Sequence, residues 1–367
     1  VSRQADEGWM ARALSLGARG LGQVWPNPAV GCVIVKDQRV VGRGWTQPGG
    51  RPHAEVMALR QAGAAARGAT AYVTLEPCAH HGKTPPCSEA LIEAGVARVV
   101  AALQDPDPRT AGQGMDRLRE AGIRCETNVM AQAAQRAHTG FFSRVQHGRP
   151  QLTLKLASSF DGRIATASGE SKWITGPAAR HAVQGLRASH DAVLVGAGTA
   201  RADDPALTLR GYGERRPPVR VVVSRRLDVP TDGQLARTAH EQPLWLCHGA
   251  DAPEARKAEW AALGAELIEV PPGADRHPDP VAMLELLGTR GLTRVLCEGG
   301  GMLAASLMGA GLVDRLIGFT AGLVLGAEGQ PSFGPLGLSN LSEAVRYVLE
   351  EEQKIGPDLM ATWVRAS

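Results

Sequence analysis

Three stretches of this 367-residue chain hold side chains suited to chemistry: His53-Ala54-Glu55, Glu76-Pro77-Cys78 and Pro85-Pro86-Cys87. One imidazole and two thiols are the ligand types zinc prefers. Three protein ligands leave a fourth position open, as in a catalytic rather than a structural site. Two thiolates and a neutral imidazole give a near-neutral centre that still acidifies water. Glu55 is not needed as a ligand, and two residues after His53 it can move a proton between water and a leaving group. Ser88-Glu89-Ala90-Leu91-Ile92 reads as a helix start, so Cys87 sits near a helix N-terminus, where thiolate is favoured. The expected set is therefore Zn2+ on His53, Cys78 and Cys87, with Glu55 catalytic.

These residues need elements to hold them. Residues 3–19 show helical spacing, with Trp9, Ala13 and Leu16 on one side and Arg and Asp elsewhere. Pro26-Asn27-Pro28 breaks that pattern. Residues 30–35 form an apolar strand, 36–39 a turn and 40–45 a return strand. A Pro/Gly loop at 47–52 delivers His53 to a helix running to about Ala66. Strand 70–75 ends at the second ligand, helix 88–94 follows the third, and strand 96–103 leads to Gln104-Asp105-Pro106-Asp107-Pro108. Residues 115–147 read as helix, short strand near 123–126, and helix. A hairpin followed by alternating helices and strands predicts an α/β sandwich. The break at His147-Gly148-Arg149-Pro150 sets a boundary between domains 1–147 and 148–367.

A second α/β pattern follows. Strand 152–156 leads to Ser158-Ser159-Phe160-Asp161-Gly162, then a polar loop through Thr175 and a helix at 177–188. Strand 191–195 runs into a turn, Gly196-Ala197-Gly198-Thr199. Strands 219–223 and 244–248 and a helix at 253–263 come next. Strand 294–297 runs into Glu298-Gly299-Gly300-Gly301 and helix 302–310; a strand within 313–325 and a pair near 344–350 and 359–365 complete the chain. Glycines let backbone N–H groups approach a phosphate, and a following helix N-terminus favours the anion. Two such turns in one domain suggest a nucleotide pyrophosphate, although neither is the dinucleotide fingerprint.

Composition narrows the class. A hydrophobic content of 44% with 21% charged residues is that of a globular protein. Net charge +3 and 4% aromatics disfavour a nucleic-acid binder but suit small anionic substrates. No apolar run reaches eighteen residues and no signal-peptide core is present, so a cytoplasmic protein with no membrane partner is expected. Six cysteines do not make a disulfide framework; Cys32, Cys125, Cys247 and Cys297 read as buried thiols.

His-x-Glu followed by Pro-Cys is the pattern of zinc nucleobase deaminases, but Cys78 and Cys87 are farther apart than its Cys-x-x-Cys. With Pro26-Asn27-Pro28-Ala29-Val30-Gly31, Gly82-Lys83-Thr84-Pro85-Pro86-Cys87, Ser168-Gly169-Glu170-Ser171, Trp173-Ile174-Thr175 and Ala202-Asp203-Asp204-Pro205, the chain resembles the bacterial bifunctional riboflavin-biosynthesis deaminase–reductases from about Met10 to Val364. The resemblance implies a cytidine-deaminase-like α/β/α sandwich followed by a dihydrofolate-reductase-like α/β domain. It implies hydrolytic deamination of a diaminopyrimidinone ribosylamino 5′-phosphate, then reduction of the product's ribose to ribityl with NADPH. It implies pyrimidine or ribose contacts at Asn27, His80, Lys83 and Asp105. It implies reductase substrate contacts at Ser171, Arg187, Leu207, Arg210 and Glu298. Cofactor contacts are implied at Ala157, Trp173, Thr199, Asp203, Ser224, Gly300, Gly301, Met302 and Leu303, and a homo-oligomer, dimer or tetramer. Lys155 reads as a catalytic aid or an ion-pair lysine.

Four positions depart from the family: Thr46 for His, Ala79 for Ser, Asp107 for Asn and Ser224 for Asp. Thr46 and Asp107 are expected near the deaminase substrate, with altered affinity rather than lost chemistry. Ser224-Arg225-Arg226 follows the buried run 221–223, so Arg225 or Arg226, with Ser224, is expected to meet the 2′-phosphate of NADPH. An RNA or nucleoside deaminase with an appended binding domain is the competing reading.

Overall fold

The computed structural model describes residues 2–81, 85–108 and 111–366. It divides into two compact units, Val1–Gly148 and Arg149–Ser367. The first is built on strands β1 (Gly31–Lys36), β2 (Arg39–Trp45), β3 (Thr70–Val73), β4 (Arg98–Ala101) and β5 (Arg124–Glu126), in the order β2-β1-β3-β4-β5. β1 is antiparallel to β2 and β3, while β3, β4 and β5 are parallel. Helices α1 (Arg3–Gly17), α2 (Ala54–Ala62), α3 (Cys87–Glu93), α4 (Gln113–Glu120) and α5 (Ala131–His147) accompany the sheet.

Both faces of β1 are buried, which is why its sequence is apolar without alternation. Cys32 and Ile34 join a core containing Ala54 and Ala58 of α2 and Leu91 of α3. Val33 and Val35 join a second core with Met10 and Ala13 of α1. Two glycines of β2 let α2 lie directly on the strand. A Cβ at Gly42 would stand 2.2 Å from the Ala58 carbonyl oxygen, and one at Gly44 2.1 Å from that of Ala54. Close packing at this seam fixes the first turn of α2, which follows His53.

The buried side of α1 differs from the expected one. It is Asp6, Met10, Ala13 and Gly17, with Trp9 and Leu16 only partly covered. Asp6 is buried because Arg98 of β4 meets it with two hydrogen bonds, 2.7 and 2.9 Å, and the Tyr72 hydroxyl donates a third at 2.6 Å. Arg98 also pairs with Glu126 of β5. Burial alone would raise the Asp6 carboxyl, but the Arg98 and Tyr72 hydrogen bonds outweigh it and hold the group below its ordinary range. Cys125 is half-buried rather than buried, because β5 is an edge strand.

The second unit has β6 (Gln151–Ser159), β7 (Arg163–Ala165), β8 (Ala192–Gly196), β9 (Val219–Val223), β10 (Leu244–His248), β11 (Glu266–Glu269), β12 (Arg294–Cys297), β13 (Arg315–Ala321), β14 (Gln330–Pro331), β15 (Tyr347–Ile355) and β16 (Asp358–Arg365). Nine make one sheet, ordered β11-β10-β9-β8-β12-β6-β13-β16-β15; β7 and β14 pair separately. The sheet is parallel from β11 to β13, and β16 and β15 add antiparallel at one edge. Its helices are α6 (Pro177–Ala188), α7 (Ala197–Asp203), α8 (Gln234–Arg237), α9 (Glu254–Ala262), α10 (Pro280–Thr289) and α11 (Gly301–Gly309). Residues 264–293, unassigned from sequence, form β11 and α10. The expected turn at 196–199 is instead the first turn of α7, a short helix whose glycine and lack of apolar periodicity hide it. No helix among the described residues is long and apolar enough to cross a membrane.

Asp6→Ala leaves the buried Arg98 guanidinium with only the half-exposed Glu126 and the Tyr72 hydroxyl as partners and should cost about 1–3 kcal/mol at neutral pH. Because the Asp6 pKa is depressed on folding, its contribution is present above the unfolded value and is lost as pH falls. Urea unfolding of both full chains, with exchange protection of β3 and β4 amides as the readout, should show the gap narrowing as pH falls below the ordinary aspartate value of about 3.9.

Candidate functional site

His53 is the N-cap of α2 and Cys87 the first residue of α3, while Cys78 lies beyond the end of β3. Their ligand atoms all lie within 4.8 Å of one another. His53 Nδ1 is 3.3 Å from Cys87 Sγ and 3.7 Å from Cys78 Sγ. Tetrahedral zinc at ordinary bond lengths separates a nitrogen and a sulfur ligand by about 3.6 Å. The donor set and its spacing therefore fit zinc, with His53 binding through Nδ1. The Cys87 thiol and backbone N–H and the His53 ring donate to Cys78, which pushes its thiol down to about 4. Cys87, which donates to it, is pushed the opposite way by that same hydrogen bond and by burial.

Glu55, in the first turn of α2, is 4% exposed. Burial raises its carboxyl pKa, and the neighbouring Cys78 adds to the rise while His53 opposes it. A carboxyl so placed is suited to hold and release a proton. Asn27 Nδ2 donates to the Gly50 carbonyl at 2.9 Å and lies 3.4 Å from His53 Nε2. Gly50 has φ 84°, and a Cβ there would stand 2.7 Å from Asn27 Cγ. Asn27 thus lies against the ring nitrogen that faces away from the thiols.

Asp105 is buried at 7%, and burial pushes its carboxyl up to about 7, with Asp107, Glu76 and Cys78 adding to the rise. It accepts the Asp107 N–H at 2.9 Å. His80 is partly buried, two residues beyond Cys78, and Lys83 lies outside the described residues. Thr46 is 2% exposed and accepts the Val30 N–H, joining the ends of β1 and β2. Ala79 is fully buried, where no hydroxyl is needed. Glu76 is the residue that sequence reasoning passed over. It is 4% exposed and accepts four backbone N–H groups. Glutamate between a buried strand and Pro-Cys is a signal, but its partners lie about thirty to forty residues onward.

The second unit holds a cavity of 1610 Å³ at the carboxyl ends of β6, β8, β9 and β12. Lys155 and Ala157 of β6 line it, as do Ser171, Trp173, Leu207, Arg210 and Ser224. Arg187 of α6, Thr199 and Asp203 of α7, Glu298, and Gly300, Gly301, Met302 and Leu303 at the start of α11 complete the set inferred from sequence. The two glycine turns touch: Thr199 Oγ1 accepts the Gly300 N–H at 3.1 Å. Both α7 and α11 start here, so their free N–H groups face the same cavity. Trp173 and Met302 are 69% and 73% exposed on its wall.

Some of these residues are brought together in unexpected ways. Arg187 and Glu298 make a two-bonded ion pair at 2.7 and 2.9 Å, and Arg187 also donates to the Thr208 carbonyl. Each neutralises the other. Lys155 lies close to this pair, and burial, with Arg187 adding, lowers its ammonium pKa against the pull of Glu298. Leu207 buries its side chain in the core at φ 51°, so it offers a ligand backbone rather than side chain. Ser224 is 2% exposed and its hydroxyl donates to Asp228 at 2.6 Å, closing a turn. Arg225 is paired with Asp251 at 2.7 Å. Arg226 is exposed on the cavity rim and makes no hydrogen bond or ion pair among the described residues.

Residues 3–103 match the model of the cytidine and deoxycytidylate deaminase zinc-binding region, and residues 150–361 match the RibD C-terminal domain. The riboflavin biosynthesis protein RibD of Escherichia coli is 44% identical over 366 residues, spanning 96% of this chain and 98% of its own. That of Aquifex aeolicus is 37% identical over 99% of both. The solved structure of Acinetobacter baumannii RibD, form 1, superposes with TM-score 0.89 at 38% identity, covering both chains fully. The Thermotoga maritima diaminohydroxyphosphoribosylaminopyrimidine deaminase/5-amino-6-(5-phosphoribosylamino)uracil reductase gives TM-score 0.86 at 33% identity over 99% of each chain.

Wild-type protein should hold one zinc per chain. Cys87→Ala removes one of three ligands and should bring bound zinc well below that ratio in elemental analysis of dialysed protein. Full zinc in that variant would move the site elsewhere.

Proposed function

We propose how this chain, which belongs to the RibD family of riboflavin-biosynthesis proteins, divides two reactions between its units. It is a deaminase and a reductase of the riboflavin pathway, with zinc and NADPH as cofactors. We assign zinc-dependent deamination to residues 1–147 and NADPH-dependent reduction to residues 148–367. The observation that carries this is the convergence of His53, Cys78 and Cys87 beside a buried Glu55 in one unit, with a separate cavity at the strand ends of the other. An RNA deaminase with a binding domain loses ground because the second unit matches the RibD C-terminal domain.

In the first reaction water replaces an amino group: a C–O bond forms, a C–N bond breaks and ammonia leaves. His53, Cys78 and Cys87 would hold the zinc, which when bound would supply an acidified water. Glu55, buried beside them in the first turn of α2, would carry a proton from the attacking water to the departing nitrogen. Asn27, His80, Lys83 and Asp105 hold the phosphorylated pyrimidine. In the second reaction a hydride from NADPH and a proton reduce the ribosyl carbon. The starts of α7 and α11 would receive the cofactor's pyrophosphate, and the exposed Trp173 and Met302 on the same cavity would offer it apolar surface. Arg187 holds Glu298 at the cavity for substrate hydroxyls, and the buried Lys155, which also lines the cavity, is the assigned proton donor.

We also assign a homo-oligomer through the second unit. Val348, Leu349, Leu359 and Trp363 leave apolar surface exposed on the β15–β16 hairpin, and β15 ends the sheet with unpaired backbone groups. The four cysteines outside the zinc set, Cys32, Cys125, Cys247 and Cys297, are free thiols, which suits a reducing compartment such as the cytoplasm.

Glu55→Gln should keep its zinc and lose deamination by roughly 10²–10⁴-fold or more. It should still reduce supplied deaminated product at the wild-type rate. Loss of both activities in that variant would end the two-site assignment.

Cofactor choice gives a second test. Arg225 is already neutralised by Asp251, so the free Arg226 is the group for the 2′-phosphate. A charge-assisted hydrogen bond is worth about 1.5–3 kcal/mol. Arg226→Ala should therefore raise KM for NADPH roughly tenfold or more and leave NADH unchanged, with Arg225→Ala having the smaller effect. Equal losses with both cofactors would leave Arg226 as surface charge.

A further inference from the structure

We propose that Glu76 is a positioning residue for deamination: its carboxylate clamps the Asp105–Pro108 segment and the start of α4 to the loop that carries Cys78. The proposal rests on the deaminase assignment of the first unit and goes beyond it.

The clamp is built from both oxygens. Oε2 accepts the N–H of Asp105 at 3.2 Å and of Gly112 at 3.0 Å. Oε1 accepts the N–H of Gly114 at 3.0 Å and of Met115 at 3.2 Å. A carboxylate is acceptor-only, so four donors on two oxygens match what it offers. Bonds of this kind are charge-assisted. The first turn of α4 has no cap of its own, since its N-cap is Gly112 and no side chain fills that role. Glu76 supplies the anion from another element, where the helix dipole favours it.

The same residue is tied to the metal loop. Its backbone N–H donates to the Leu103 carbonyl at 2.9 Å, extending the β3–β4 pairing by one more bond. Pro77 follows, and α4 rests directly upon it: a Cβ at Gly114 would stand 1.8 Å from the Pro77 carbonyl oxygen. Cys78 comes next, its carbonyl accepting the N–H and hydroxyl of Ser88 at 3.2 and 3.1 Å. Cys78 is therefore fixed on one side through α3 and on the other through Glu76. Asp105, proposed to hold the pyrimidine, is fixed through the same carboxylate. The clamp makes the distance between ligand loop and substrate segment a property of the free protein.

A segment that is ordered before binding does not have to be ordered by the substrate. Without the clamp, only a fraction of molecules has Asp105 in place, and apparent affinity falls by that fraction. A purely structural cap would behave differently, lowering the amount of active protein and leaving KM alone.

The test is Glu76→Gln in the full-length zinc protein. Glutamine keeps the size but turns one acceptor into an NH2 facing N–H donors. We expect zinc to stay at one per chain, and reduction of supplied deaminated product to stay unchanged. KM for the diaminopyrimidinone phosphate should rise about tenfold or more, with kcat within about twofold. An unchanged KM with a lower kcat, or loss of zinc, overturns the proposal. A measurement on wild-type protein stands independently of how the variant folds. Hydrogen exchange should find the amides of Asp105, Gly112, Gly114 and Met115 protected without ligand. If they become protected only on adding the deaminated product, the clamp does not preorganise the site. Wild-type protein that releases no ammonia would sink the deaminase assignment itself, and that appears before any substitution is made.

Discussion

Parallel strands can be joined only by crossovers, and the crossover is usually a helix. Each such helix starts where a strand ends, so free N–H groups collect along the carboxyl edge of the sheet. Both candidate sites depend on this constraint. In the first unit Cys78 follows β3, and Cys87 begins α3, the helix that carries the chain towards β4. In the second, α7 and α11 begin directly after the adjacent strands β8 and β12, and Thr199 joins the two turns. The chemistry differs, but the backbone provides the same kind of place for it.

Several buried carboxylates collect backbone donors, unlike Asp6 and Glu298, whose partners are side chains. Asp191 accepts the N–H groups of Thr293 and Arg294 at 2.7 and 2.9 Å, joining β8 to β12 at their starts. Asp314 accepts two bonds from Arg149 and the Leu152 N–H, fixing the entry to β6. Glu76 takes four N–H groups. Removing a charge from water is costly unless each lone pair finds a donor. Satisfied in this way, a carboxylate holds separate segments of chain at set distances. Burial pushes Glu55 and Lys155, the groups proposed to exchange protons, towards their neutral forms, as it does the Asp191 carboxyl. A group that must exchange a proton benefits from having both forms within reach.

The sequence by itself determined the chemistry and most of the framework. Zinc ligands declare themselves because few residue types bind that metal, and His53, Cys78 and Cys87 occur with Glu55 in the right order. Strands such as 219–223 and 294–297 were legible because burial on both faces demands apolar runs, here 221–223 and 295–297 beside a single arginine each. The glycine turn before α11 was legible because a missing Cβ has few other uses beside a strand end. Short α7 and the four-residue β11 were not, since segments of that length have little period to read.

Only the tertiary structure decided which charges are free. The sequence offered Arg225 and Arg226 as equals, yet Asp251, twenty-six residues on, occupies the first. It offered Arg187 and Glu298 as separate contacts, and folding made them a pair. It put Asp6 on an outer face of α1, and Arg98, ninety-two residues away, brought it inside. It gave no role to Glu76, whose four donors come from beyond Leu103. The physical reason is common to all of them. What a residue can ligate is set by its type, which is local, but whether its charge is already satisfied depends on partners that only the folded chain brings near.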